Sequence, residues 1–140
     1  KKYSGWIYEY CLPMCIISPS SVMVHATVFD TVGVFDTSLP ACEDYDMWLR
    51  ICARYPVLCL DKKLIVKQAG DWQQLSAEHS LDKYRIIALR KILDAGGPAH
   101  WQRLLTQDAL EEKIDIYAKG CLKHGRGTEA AWAESMISRG

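Results

Sequence analysis

Residues 43–54 read EDYDMWLRICAR, and the interpretation of the whole sequence starts from this stretch. Three carboxylates occupy its first turn, and apolar side chains follow at positions 48, 49, 51 and 52. Acidic side chains stabilise the positive end of a helix, and apolar residues at this spacing fall on one face. The stretch therefore predicts an amphipathic helix that begins at Glu43 and ends before Pro56.

Short apolar and β-branched runs flank this helix at residues 16–24, 57–60 and 64–66. Such runs, bounded by proline and turn residues, are typical of short strands. A short helix over residues 26–32, ended by Gly33, is expected between the first run and the acidic stretch. Strands that alternate with helices indicate the α/β class.

The sequence from residue 76 onward is helical in pattern, apart from glycine-rich breaks at residues 96–98 and 125–127. This change divides the chain into an α/β part, residues 1–75, and a helical extension, residues 76–140. We expect the apolar stripe of Leu81, Tyr84 and Leu89 to dock on the α/β part. The segment after Pro98 is expected to pack mainly within its own hairpin.

Composition argues against several classes of partner. Seventeen basic residues offset seventeen acidic ones, so no net field attracts nucleic acid or an anionic membrane surface. No apolar run approaches the roughly 20 residues of a membrane span. The six cysteines lack the C-x-x-C spacing of a zinc site, which favours buried, reduced thiols and a cytoplasmic location.

Three blocks carry a resemblance to a known family: ISPSSVM at residues 17–23, FDTVGVFD at 29–36 and EDYDMWLR at 43–50. Their order and spacing resemble the C-terminal half of bacterial family 2 glycosyltransferases of the GT-A type, over roughly residues 1–94. The resemblance implies a partial GT-A, Rossmann-like sheet with an acceptor-side helix, followed by an all-helical C-terminal extension.

The same resemblance implies an incomplete enzyme. Nothing in residues 1–42 replaces the family's donor-binding half, with its D-x-D motif. A divalent cation, Mg²⁺ or Mn²⁺, would be held mainly by that other half. The expected partners are a nucleotide-sugar donor and a glycan or lipid-linked acceptor, between which an inverting enzyme moves a sugar.

By resemblance to the family's acidic pair, Asp44 is the candidate general base and Glu43 is the second candidate or a positioning group. A carboxylate is suited to remove the proton of an acceptor hydroxyl. Trp48, one turn beyond Asp44, would line the acceptor pocket. Asp46 can pair with Arg50 at i,i+4, which makes Arg50 a candidate positioning residue.

Three further residues are weaker candidates. Ser20 and Ser21 would lie near the donor sugar, although serine beside proline is equally typical of turn chemistry. Asp71 stands where relatives often carry a histidine, and its oxygen donors suit Mg²⁺ or Mn²⁺. A solvated loop position explains Asp71 as well.

A non-catalytic alternative remains open at this stage. Carboxylates stabilise the start of any helix, and a tryptophan at helical spacing is usually part of a core. The acidic helix would then be structural, and the helical extension would bind a protein partner.

Overall fold

The computed structural model describes residues 2–66, 81–96 and 98–137. More than half of these residues lie in six α-helices, and a single 3-10 turn spans Pro19–Ser21. The α-helices are α1 (Tyr8–Cys11), α2 (Ala26–Val32), α3 (Glu43–Cys52), α4 (Leu81–Asp94), α5 (His100–Lys123) and α6 (Gly127–Ser135).

Helices α2 and α3 begin where the sequence predicts them. Helix α2 starts after His25, whose ring nitrogen accepts a hydrogen bond from the Thr27 N–H. It ends at Gly33, which adopts a φ of 78° and donates its N–H to the Phe29 carbonyl. Positive φ favours glycine, so the predicted stop at Gly33 is confirmed.

The predicted Rossmann-like sheet is wrong for the described part of the chain. There, the only β pairing is one antiparallel bridge, in which Gly5 and Val57 exchange two backbone hydrogen bonds of 2.7 and 2.9 Å. Residues 19–21 form the 3-10 turn, and residues 22–25 and 64–66 run without a ladder partner. The described chain is helical rather than α/β.

The error has a physical cause. β-branched runs mark side chains that suit a pleated, half-buried surface, but a sheet also needs neighbouring strands. Within the described residues no third strand joins the bridge, so Leu58, Leu64 and Val66 stay largely exposed. Hydrophobic pattern alone predicted strands that find no partner within the part of the chain that the structure describes.

One apolar core joins the helices from both parts of the sequence. Buried side chains of α1, α3, α4, α5 and α6 belong to a single cluster. Leu89 of α4 is fully buried in it, and α4 lies against both α3 and α5. A second, smaller cluster surrounds Trp48 and packs against α2.

The expectation that residues after Pro98 pack mainly within their own hairpin is incomplete, because α5 packs against α4 as extensively as against α6. Helix α5 also holds the N-terminal part, because the Tyr8 hydroxyl lies 2.7 Å from Thr106 Oγ1. The Gln102 amide donates to the Ala53 carbonyl at 3.1 Å. The predicted division at residue 75 falls in 67–80, outside the described residues.

Helix α5 is long enough to span a bilayer, but charged residues interrupt its sequence throughout. Within the described residues, no helix combines the length and the apolar character that a membrane span requires.

Candidate functional site

The candidate site lies at the N-terminus of α3, and the residue before this helix has an unusual backbone. Cys42 has a φ of 62°, in the left-handed region that side chains other than glycine rarely adopt. Such conformations persist only where surrounding packing imposes them, and they are common at functional sites. The turn at Cys42 directs the chain into Glu43 and Asp44, which are both partly exposed.

Asp44 has one protein donor on each carboxylate oxygen. Its Oδ1 accepts the N–H of Tyr45 at 2.7 Å, and its Oδ2 lies 3.3 Å from the Cys15 Sγ, which donates to it. Burial and the neighbouring Asp44 carboxylate raise the pKa of the Cys15 thiol to about 12. Cys15 therefore stays protonated at neutral pH, and its single S–H can donate either to Asp44 or to the Ile17 carbonyl, which also lies 3.3 Å from Sγ.

Asp46, in contrast, is fully buried and paired with two cations. Arg50 donates to its Oδ2 from Nε at 3.0 Å and from Nη2 at 2.8 Å, which confirms the predicted i,i+4 pair. The Lys91 Nζ of α4 lies 2.9 Å from its Oδ1. Because its oxygens face these partners inside the protein, Asp46 holds helices together rather than meeting a substrate.

Arg50 also fixes the turn after α2. Its guanidinium donates to the carbonyl of Val32 and, at 2.9 Å, to the carbonyl of Val34. Gly33 lies so close that a β-carbon there would stand 3.6 Å from Arg50 Nη1. Arg50 thus fixes the turn at residues 32–34, and its positioning role at an acceptor stays a prediction.

Lys91 links the same turn to the helical extension. Its Nζ lies 2.5 Å from Asp36 Oδ2, while Asp36 Oδ1 accepts from the backbone and hydroxyl of Ser38. The Lys91 ammonium and the Ser38 donors hold the pKa of the Asp36 carboxyl well below its usual range. The sequence analysis assigned Lys91 no role, because a single lysine on a helix carries no distinguishing pattern.

Trp48 forms the wall of an open pocket beside this network. The pocket has a volume of about 240 Å³ and is lined by Pro19, Val22, Val24, Phe29, Phe35 and Trp48. We call it the Trp48 pocket. The Phe35 ring meets the indole edge to face, with centroids 6.2 Å apart.

The indole itself is 5% exposed, and its Nε1 has no hydrogen-bond partner among the residues that the structure describes. A buried donor without an acceptor is unfavourable. Cys15 packs against the apolar cluster that contains Trp48, and it also lies within 3.3 Å of Asp44 Oδ2.

The two serines occupy the 3-10 turn at the rim. Ser21 donates from its N–H and from its hydroxyl to the Ser18 carbonyl, at 2.9 and 2.8 Å. Ser20 is exposed, and the adjacent Pro19 lines the pocket. Ser21 thus shows the turn chemistry that was the alternative to a role at the donor sugar.

The described residues do not form a metal centre. In residues 2–66, 81–96 and 98–137, no three carboxylate, histidine or cysteine side chains are grouped so that they could hold an ion. The remaining candidate ligand, Asp71, lies outside the described residues. The donor set present in the described part therefore does not fit a divalent cation.

Comparison with models of protein families, with curated proteins and with solved structures gave no significant match. The interpretation of the site therefore depends on its own geometry.

That geometry unites some of the predicted residues and separates others. Asp44 and Trp48 lie one turn apart on α3, Asp46 and Arg50 form an internal pair, and Ser20 lies at the pocket rim. Sequence reasoning missed the Cys15 donor and the strained Cys42 backbone. Neither has a sequence signal, since both depend on long-range packing of a common small apolar residue.

Proposed function

We propose that this chain is the acceptor-side part of an inverting glycosyltransferase in which Asp44 is the general base. The observation that carries the proposal is the position of Asp44. Its carboxylate is partly exposed at the start of α3, one turn before the Trp48 pocket. An acceptor group in that pocket could place a hydroxyl beside the carboxylate. The proposal rests on α3 and its surroundings and requires no sheet in this chain.

The proposed chemistry is a direct displacement. Asp44 takes the proton of the acceptor hydroxyl while the oxygen attacks the anomeric carbon of the donor sugar. The bond from that carbon to the nucleoside diphosphate breaks, and the diphosphate leaves with the electron pair. Each Asp44 oxygen has lone pairs beyond its single protein donor, so it can accept the incoming proton.

The residues around Asp44 would hold it in place. Cys15 donates to its Oδ2, and Asp46 anchors α3 through Arg50 and Lys91. A base must lie within about 3 Å of the proton that it removes, so a fixed helix start favours catalysis. Glu43, adjacent and also partly exposed, is the second candidate for the base.

Donor binding is assigned elsewhere in this proposal. The described residues offer no cation site, so Mg²⁺ or Mn²⁺ and the nucleotide-sugar would be bound by other residues of the protein. A cytoplasmic location is part of the proposal. It is supported by the six cysteines, all of which are free thiols, as expected in a reducing compartment.

The proposal is tested with the product of the complete gene that contains this chain. Release of nucleoside diphosphate is measured for a panel of nucleotide-sugars with sugar and lipid-linked acceptors. Asp44→Asn should lower the transfer rate by about 10²–10⁴, because it removes the base while keeping the shape of the side chain. Binding of the nucleotide-sugar should be unchanged.

The matched control is Asp30→Asn, which alters an exposed carboxylate on α2. It should transfer at the wild-type rate. Glu43→Gln tests the second candidate in the same assay. A rate for Asp44→Asn within a few-fold of wild type would refute the assignment, and loss in Glu43→Gln alone would move the base by one residue.

The second candidate function is a non-catalytic interaction module. It is favoured by one observation: α5 exposes Trp101, Leu104 and Leu122 to solvent. Exposed apolar side chains that gather on one surface often mark a protein contact. A complete gene product that releases no nucleoside diphosphate, and that binds a defined partner unless Leu104→Asp is introduced, would favour this function.

A further inference from the structure

The Trp48 pocket differs in chemistry from a site for a bare sugar. All six lining residues are apolar, and none of them carries a charge or an amide side chain. A sugar in a binding site needs hydrogen-bond partners for its hydroxyl groups, because desolvating them without partners is costly. An aromatic wall alone does not supply those partners, whereas it suits a hydrocarbon well.

The size of the pocket limits what can enter. A volume of about 240 Å³ is equivalent to roughly eight non-hydrogen atoms, at about 30 Å³ for each water-sized group. One alkyl or prenyl chain of that length fits, whereas a helix of a protein partner does not.

The position of the pocket relates it to Asp44. Asp44 and Trp48 are four positions apart on α3, a rise of about 6 Å along the helix. Cys15 packs against the apolar cluster that contains Trp48, and its Sγ lies 3.3 Å from Asp44 Oδ2. A chain bound in the pocket would place its polar end on the side of Asp44, which lies on the same face of α3 as Trp48.

We infer that the Trp48 pocket binds the hydrocarbon chain of a lipid-linked acceptor, close to the hydroxyl that is glycosylated. That the bound molecule is a glycosyl acceptor rests on the proposed function, whereas the binding of a hydrocarbon chain does not. Of the two acceptor classes that the sequence leaves open, the pocket selects the lipid-linked one.

Binding is measured first, with the 140-residue chain and two probes. Octyl β-glucoside, below its critical micelle concentration, is compared with methyl β-glucoside by calorimetry. Each buried methylene contributes about fourfold in affinity, so four methylenes in the pocket give the octyl compound an advantage of at least about 100-fold. Equal affinity of the two probes would overturn the inference.

Two adjacent substitutions locate the binding. Val24→Asp places a charge in the wall of the pocket, whereas Met23→Asp alters a neighbour that is 99% exposed and does not line it. Octyl glucoside should bind at least about tenfold more weakly to Val24→Asp and within about twofold of wild type to Met23→Asp. Equal binding by both variants would place the hydrocarbon elsewhere and overturn the inference.

Two controls keep the result interpretable. Circular dichroism must show that Val24→Asp is folded. If Val24→Asp is not folded, a second pair of variants replaces it: Phe35→Ala in the pocket and Val34→Ala at its exposed neighbour. Analytical sedimentation tests whether a second copy of the chain occupies the pocket. If Val24→Asp dissociates a dimer of the chain and octyl glucoside does not bind, the pocket is a self-association surface and the inference fails.

The assay of transfer separates this inference from the proposed function. If Asp44→Asn abolishes transfer but octyl and methyl glucosides are equally good acceptors and ligands, the pocket inference fails and the function stands. If octyl glucoside binds as expected but Asp44→Asn transfers normally, the function fails and the hydrocarbon site stands.

Discussion

The Lys91 Nζ of α4 lies 2.9 Å from the Oδ1 of Asp46, a fully buried carboxylate in the first turn of α3. Two segments that are 45 positions apart in sequence therefore share one buried charge. A buried ion that loses a partner is strongly unfavourable, so this contact makes the stability of α3 depend on α4.

Replacing Lys91 with methionine tests that dependence. Lys91→Met should lower the free energy of unfolding by about 1–3 kcal/mol, since it leaves Asp46 buried with Arg50 alone. The loss is moderated because the Lys91 side chain is 39% exposed. Urea denaturation of the 140-residue chain measures the change.

The control for this change is Lys119→Met on α5. Lys119 pairs with Asp115 at 2.8 Å, but its side chain is 75% exposed. Exposed pairs contribute at most about 1 kcal/mol and often nothing measurable. Equal destabilisation by the two variants would show that the buried carboxylate is not the reason for the effect.

Asp36 gives the protein a specific dependence on pH. Lys91 and Ser38 hold its pKa below the usual value, so between the folded and the unfolded pKa the unfolded chain binds more protons. The stability that Asp36 contributes is then complete above about pH 4, the pKa of an unfolded aspartate, and is lost as the pH falls below it. Asp36→Asn removes this contribution at neutral pH.

We therefore expect the difference in unfolding free energy between wild type and Asp36→Asn to be present at pH 7 and to shrink progressively below about pH 4. Urea titrations at several pH values measure it. Asp30→Asn serves as the comparison, since Asp30 is an exposed aspartate on α2. A difference that grows on acidification would contradict the lowered pKa.

The strained backbone conformation at Cys42 can be tested by substitution. Cys42→Val should destabilise the chain by about 2 kcal/mol, because a β-branched residue is strained at a φ of 62°. Cys42→Gly should be much milder, since glycine adopts this conformation without strain. Thermal unfolding measures the stability of each variant. At the exposed Cys59, valine should not be more destabilising than glycine.

Thiol reactivity follows from the environments of the cysteines. Burial raises the pKa of the Cys15 thiol to about 12, with Asp44 adding to the effect, and burial raises that of Cys42 to about 11. Thiolates are the reactive form, so these two should resist alkylation at pH 7.5, whereas the exposed Cys59 should react first.

Mass spectrometry after brief treatment with iodoacetamide would then detect one adduct in wild type and almost none in Cys59→Ser. Denaturing the protein before treatment should expose the remaining cysteines. Rapid labelling of Cys15 in the folded chain would contradict the contact with Asp44.

Sequence reasoning succeeded where structure is set by neighbouring residues. The start of α3 follows from its acidic first turn, the end of α2 from the conformation of Gly33, and the Asp46–Arg50 pair from helical spacing. It failed for the sheet, because strand-like runs such as residues 57–60 show only that their side chains suit the surface of a sheet. They do not show that a neighbouring strand is present to pair with.

The candidate site shows the same division. Asp44 and Trp48 could be placed on one helix face from their spacing, but nothing in the sequence links Cys15 to Asp44 or Lys91 to Asp46. These contacts join residues 29 and 45 positions apart. They depend on how the helices pack, which spacing within one helix does not specify.

The hydrogen bond between Tyr8 and Thr106 has a consequence for the order in which the chain folds. It spans 98 positions, whereas α4 contacts α5 and α5 contacts α6, each the next helix in the chain. Local pairs form before distant ones because closing a long loop costs more entropy. We expect the α4–α5–α6 hairpins to form early, and α1 to dock last and to detach first on unfolding. Since α1 leads directly to Cys15, the earliest step of unfolding would release the donor that holds Asp44.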